Sequence, residues 1–195
     1  LVKSGKLKKT GDIQKDYATF EKYVPDLPFI IYRKSDLIQF SNEIPFGGEF
    51  KYQETVAFKW NITKETKEIN GVKCIKATTS KWGRNWIAYY SPKYPMPFGP
   101  YKFYGLPGLI FKVSDQDNEY NFELYKYKTR KVKNFSVNNY PTAKLVTKAN
   151  YNKIRKQVAL HPNFIDDEKD PKMKKQMLKF SEEQEKNYNP IELTE

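Results

Sequence analysis

Asp115, Asp117 and Glu119 alternate through SDQDNE with the spacing of the first three ligands of a calcium loop. Such a loop needs glycine at its sixth position and glutamate at its twelfth, where this chain has Tyr120 and Lys126. A hairpin turn rich in Asp and Asn accounts for the same residues. The run DDEKD at 166–170 reads as a helix start favoured by the helix dipole, so no metal ligands are assigned. Nucleophilic chemistry needs a base beside a serine or cysteine. The single histidine, His161, follows a helical stretch and precedes Pro162, where a cation near a helix C-terminus explains it. Cys74, the single cysteine, shares a strand face with Val72 and reads as a small buried residue. An internal disulfide and a multi-thiolate zinc site are both excluded. No phosphate loop or dinucleotide fingerprint is present, and neither a catalytic residue nor a cofactor is assigned. A carboxylate-dependent hydrolase stays open as an alternative, using Asp115 or Glu119 with a partner among Glu54, Glu65 and Glu68.

Two features suggest binding. LYKYKTRKVK places Lys126, Lys128 and Arg130 on one strand face and Tyr125 and Tyr127 on the other. This basic ladder is either a lysine-protected edge strand or a polyanion-binding module. Its aromatics do not share the basic face, which argues against nucleic acid. The second feature is the pair of stretches KWGRNWIAYY and GPYKFYGLPGLIF, which concentrate tryptophan, tyrosine and phenylalanine beyond what one hairpin face needs. Trp82, Arg84, Trp86, Tyr101, Lys102 and Tyr104 are the candidate ligand-binding residues, with core packing as the competing explanation for the rings.

These residues must be positioned by strands. PFIIYR and LIQF read as short strands, and EFKYQETVAFKWNI alternates through Phe50, Tyr52, Phe58, Trp60 and Ile62. Asn70-Gly71 is the strongest short-range hairpin signal, with a strand over 72–80 after it. Gly83-Arg84-Asn85 offers a second turn, and WIAYYS returns with Trp86, Ala88 and Tyr90 on one face. LIFKV and EYNFELYKYK form a third hairpin around Asp117-Asn118. Beyond Pro141 the period becomes helical. Tyr151, Ile154 and Val158 form one stripe; Asp170 as N-cap and Pro171 at the first position open a helix over 171–186 with Met173, Met177 and Phe180 on its inner face.

The chain has 195 residues, which suits a single domain. Residues 1–27, anchored by Tyr17, Phe20, Tyr23 and Leu27, read as a loosely attached lead-in, 28–140 as an antiparallel sheet and 141–195 as a helical part. Strands followed by helices make the fold class α+β: a strongly curved antiparallel β-sheet, an open half-barrel or bowl, with two C-terminal helices. The curvature follows from Gly105, Pro107 and Gly108, which bend the strand or admit another backbone close to it. Leu106, Leu109 and Phe111 are expected to be buried there. The 35 basic and 23 acidic residues give a net charge of +12, spread along the chain. No run reaches the roughly 18 apolar residues of a transmembrane segment, and the absent initiator Met suggests upstream processing or truncation.

Gly105-Leu106-Pro107-Gly108-Leu109-Ile110, with ITKETKEINGVKCIKATT and GRNWIAYYSPKYPMPFGPYKF before it and NYNPIEL near the end, resembles the GLPGLI family of exported Bacteroidetes proteins. The resemblance covers about residues 55–125 well and the tail weakly. It implies a periplasmic or cell-envelope location and supplies no catalytic motif. The expectation is a non-enzymatic exported binding or accessory protein of the envelope. It would hold an apolar small molecule, a peptide or a glycan on an aromatic-lined concave sheet, with an envelope protein as a further partner.

Overall fold

Asn70-Gly71 forms a two-residue turn with φ of 50° and 74°, the positive pair a type I′ hairpin requires. It joins β4 (Asn61–Ile69) to β5 (Val72–Lys81), and Ile69 pairs with Val72 across it. The next turn closes one residue earlier than the sequence suggests. Trp82 and Gly83, at φ 55° and 75°, make it, so Arg84 and Asn85 already lie in β6 (Arg84–Ser91). Steric crowding disfavours a bulky residue at positive φ, which is why the sequence points past Trp82. Packing of the indole overrides that preference, because Trp82 is buried against Phe58 and Phe103.

In the computed structural model, the structure describes residues 29–44, 48–126, 140–160, 165–186 and 188–194. The other strands are β1 (Phe29–Lys34), β2 (Leu37–Ile44), β3 (Gly48–Thr55), β7 (Leu109–Asp115), β8 (Asn121–Glu123) and β9 (Lys144–Leu145). Two helices follow, α1 (Lys148–Leu160) and α2 (Pro171–Lys186), and the fold is α+β as expected. The strands divide between two open sheets, of order β1-β2-β3-β9 and β4-β5-β6-β7-β8. Pairing from β4 through β8 is antiparallel, whereas β9 joins β3 in parallel. No helix among the described residues is long and apolar enough to cross a membrane.

The chain forms two compact units. Of the described residues, one unit holds 29–30, 39–44, 48–53 and the helical part with both helices. Phe40 stacks on Tyr52 at 5.0 Å between ring centroids and meets Tyr151 of α1 edge-on at 5.4 Å. The Asn42 amide donates to the Tyr151 hydroxyl at 2.9 Å. Thr147 caps α1 by accepting from the Asn150 amide at 3.2 Å, and Asp170 caps α2 by accepting from the Lys172 amide at 2.9 Å. Met173, Met177 and Phe180 are half-buried along α2, as its helical stripe predicts.

The other unit holds Ile31–Ile38, the five-stranded sheet and the segment beginning at Asn189. Its core gathers Trp82, Trp86, Phe103, Leu106, Ile110 and Val113; Cys74, Leu109 and Phe111 pack in a second cluster with Ile69. Burial of Leu106, Leu109, Phe111 and Cys74 matches the sequence reading. Gly108 shows why a glycine sits within this apolar stretch. A Cβ there would lie 2.3 Å from the Ser91 carbonyl oxygen, a contact only backbone movement could relieve. Pairing between β6 and β7 shifts register between Tyr89 and Tyr90, so β7 bulges just after this close approach. The start of β7 is tied to the segment after β6, because the Leu109 amide donates to the Tyr94 carbonyl at 2.8 Å and the Ile110 amide to the Phe98 carbonyl at 2.9 Å.

The expected long strand after Asn118 is short. β8 ends at Glu123; one more bond to β7 follows, from the Leu124 amide to the Phe111 carbonyl, and the Leu124 carbonyl accepts from the Asn70 side chain. Tyr125 and Lys126 are exposed beyond the strand, so Lys126 is not part of a strand ladder. Lys128, Arg130, the lead-in 1–27 and His161 lie outside the described residues.

Candidate functional site

Arg84 opens β6, and its side chain is only 5 % exposed. A guanidinium has five N–H donors in a fixed fork, and burial requires them to find acceptors. Nη1 donates to Asp115 at 2.9 Å and to Glu119 at 2.5 Å. Nε donates to the Ile191 carbonyl at 3.2 Å, and Nη2 to the Pro190 carbonyl at 3.1 Å and to the Asn189 side-chain oxygen. The Tyr120 ring lies 5.0 Å from the guanidinium carbon, and its hydroxyl donates to the Asn189 carbonyl. Hydrogen bonds from Arg84, and then from Asn189, hold the Glu119 carboxyl below its ordinary range. That favours the charged form, the reverse of what a proton-donating carboxylic acid needs. Of the carboxylates considered from sequence, Asp115 and Glu119 therefore meet on a cation, Glu54 pairs with Lys102 and Glu65 with Lys76.

Lys102 is the second buried cation, its side chain fully enclosed. Its ammonium donates to Glu54 and, at 2.5 Å, to Glu192, and lies 5.2 and 5.7 Å from the ring centroids of Tyr101 and Trp82. The Tyr101 hydroxyl donates to the same Glu192 carboxylate. Trp82 acts through its backbone as well as its ring, for its carbonyl accepts from the amides of Leu193 at 2.9 Å and Thr194 at 3.4 Å. Both Trp82 and Tyr101 have positive φ, at 55° and 51°, a conformation that bulky side chains rarely adopt. An open cleft of about 290 Å³ lies alongside, lined by Ser80, Lys81, Trp82, Gly83, Arg84 and Asn85.

Trp82, Arg84, Tyr101 and Lys102 thus converge on one object, the segment from Asn189 to Thr194. Two other candidates from sequence lie elsewhere. Trp86 is fully buried, its indole N–H donating to the Lys81 carbonyl at 3.0 Å and its ring 4.7 Å from that of Phe103, so it packs the core. Tyr104 sits under the Arg33 guanidinium at 4.2 Å, donates its hydroxyl to the Val56 carbonyl, and has its phenol pushed up by burial. Phe98 lies on the same Arg33 at 5.0 Å.

Sequence reasoning missed the segment itself, with Glu192 and the carbonyls of Pro190 and Ile191. A signal did exist. Two cations within strongly apolar stretches, Arg84 and Lys102, require buried acceptors, and NYNPIEL offers an amide, a carboxylate and an apolar side chain together.

No family model matches this sequence, and no curated protein matches it. Among solved structures, two of PNGF-II, in P21 and C2 space groups, are similar with TM-scores of 0.49 and 0.48. Both are 15 % identical over 72 % of this chain, which spans 27 % of theirs. Likeness at that level transfers no activity.

Proposed function

We propose that this chain is a non-enzymatic binding or accessory protein exported to the cell envelope, as its GLPGLI resemblance implies, and that its ligand is a peptide. One observation carries the choice among an apolar molecule, a peptide and a sugar. Arg84 donates to two successive main-chain carbonyls, of Pro190 and Ile191, while the Trp82 carbonyl accepts main-chain amides of Leu193 and Thr194. Donors to successive carbonyls and an acceptor for amides match a polymer of amides, and the occupant they hold is itself a peptide segment, whereas a hydrocarbon provides neither group. Trp82 and Tyr101 add apolar walls, and Lys102 adds a charge that selects an acidic side chain.

The test is direct binding of the full chain to immobilised peptides, oligosaccharides and heparin. Retention on peptides bearing an acidic residue next to an aliphatic one supports the reading. Retention on oligosaccharide alone, or salt-dependent retention on heparin alone, overturns it. Fractionation of the source cells tests export separately, and recovery from the cytoplasm would contradict that part.

A further inference from the structure

Resting on the peptide reading, we infer that the sequence recognised by this site is the chain's own Asn189–Thr194, and that the site accepts the same sequence from a second copy of the chain. Each of the six residues of the segment is held by at least one bond. Asn189 is held through its side chain and its carbonyl, Pro190 through its carbonyl, Ile191 through its carbonyl and a buried side chain. Glu192 is held through its carboxylate by Lys102 and Tyr101. Leu193 and Thr194 are held through their amides, and the Leu193 side chain is half exposed. The pattern recognised is therefore Asn-x-aliphatic-acidic followed by two residues, with Pro190, Leu193 and Thr194 read through the backbone.

Two properties separate this site from ordinary core packing. The first is chemical: both cations are enclosed, at 5 % and 0 % side-chain exposure, and both face atoms of the segment. The second is conformational: of the three aromatic residues that bond the segment, Trp82, Tyr101 and Tyr120, the first two hold positive φ. Unfavourable backbone conformations that persist in bulky residues concentrate at ligand clamps.

All of these contacts reach only atoms of residues 189–194, so the site is indifferent to which chain supplies them. A second copy's segment makes the same set of bonds. The intact chain favours its own segment through an effective concentration of about millimolar, so exchange between copies emerges when the resident segment is weakened or the competitor approaches that concentration.

The experiment uses a fluorescein-labelled hexapeptide, Asn-Pro-Ile-Glu-Leu-Thr, titrated by anisotropy into the parent chain and into the full chain carrying Ile191→Asp. That substitution puts a charge where Ile191 is buried and releases the resident segment; near-ultraviolet circular dichroism verifies the fold. The expected result is binding to the variant at least tenfold tighter than to the parent, falling tenfold or more when the peptide's glutamate is replaced by lysine. Equal binding of a scrambled peptide to the folded variant overturns recognition of its own sequence and leaves the general peptide reading standing. Absence of binding to any peptide overturns both. If Ile191→Asp does not fold, the parent decides: hexapeptide at ~5 mM must accelerate exchange of the Leu193 and Thr194 amides by displacing the resident segment, and unchanged exchange overturns the inference.

Discussion

Asn70-Gly71 and Trp82-Gly83 close consecutive hairpins of one sheet with nearly identical φ values, 50° and 74° in the first, 55° and 75° in the second. The first turn has the residues this backbone prefers, and it is exposed. In the second, a tryptophan holds a position that costs a residue with a Cβ about 1–2 kcal/mol. Burying its ring contributes about 4–6 kcal/mol by area, which decides the matter in favour of Trp82. The same backbone thus serves two purposes. At 70–71 residue choice follows the turn; at 82–83 it follows what lies beyond the turn, namely the aromatic core and the segment from Asn189.

The largest break in that comparison is Trp82→Ala. It keeps the hairpin backbone and removes the ring from Phe58, Phe103 and Tyr101, and equilibrium denaturation is expected to show a loss of about 3–5 kcal/mol. A loss under ~1 kcal/mol would mean that the ring is not what keeps Trp82 at positive φ.

Gly71→Ala and Gly83→Ala form a matched pair at equal φ. A Cβ at Gly71 meets nothing within 4 Å, whereas at Gly83 it lies 3.0 Å from the Leu193 Cβ and 3.2 Å from a Thr194 methyl. Gly71→Ala is expected to cost about 1 kcal/mol from backbone strain alone. Gly83→Ala is expected to cost about 2–3 kcal/mol and to loosen the segment, read as faster exchange at the Leu193 amide. Equal losses at both positions would contradict segment packing over the turn. Asn70→Trp is the reverse exchange: an exposed indole gains no burial there, and a loss of about 1–2 kcal/mol is expected from the same measurement.

The two turns also explain what was legible in the sequence. Local rules fixed Asn70-Gly71, the Asp170-Pro171 helix start and the burial of Cys74, because each depends on a few neighbouring residues. The turn at Trp82 was misplaced because its determinant, burial of the indole against Phe58 and Phe103, is not local. Arg84 and Lys102 could be picked out, yet their partners lie at Asp115, Glu54 and Glu192, up to 107 residues distant for the bond from Arg84 to Ile191. Trp86 falls with them in the sequence because alternation assigns residues to strand faces without saying which face becomes core, and Tyr104 because it adjoins the bend at Gly105, Pro107 and Gly108. Gly108 was recognised as a bending point, but only the fold supplies Ser91 as the backbone that approaches it.

The smallest expected effect is on pH dependence. Because Arg84 lowers the Glu119 carboxyl in the folded chain, that group's stabilisation is fully present above its unfolded value near 4.5 and is lost as pH falls through the lowered folded value. Glu119→Gln should therefore flatten the decline in stability below that pH and leave its slope near neutrality unchanged. An unchanged acid slope would show that the Arg84–Glu119 pair is not maintained in solution.

The most direct test of a segment held by Arg84, Lys102 and Trp82 is native-state hydrogen exchange at the Leu193 amide, which donates to the Trp82 carbonyl. Protection on the order of 100-fold or more over the unfolded rate, falling in Gly83→Ala and retained in Gly71→Ala, is the predicted result. Exchange of Leu193 at the unfolded rate in the intact, folded chain would contradict the account.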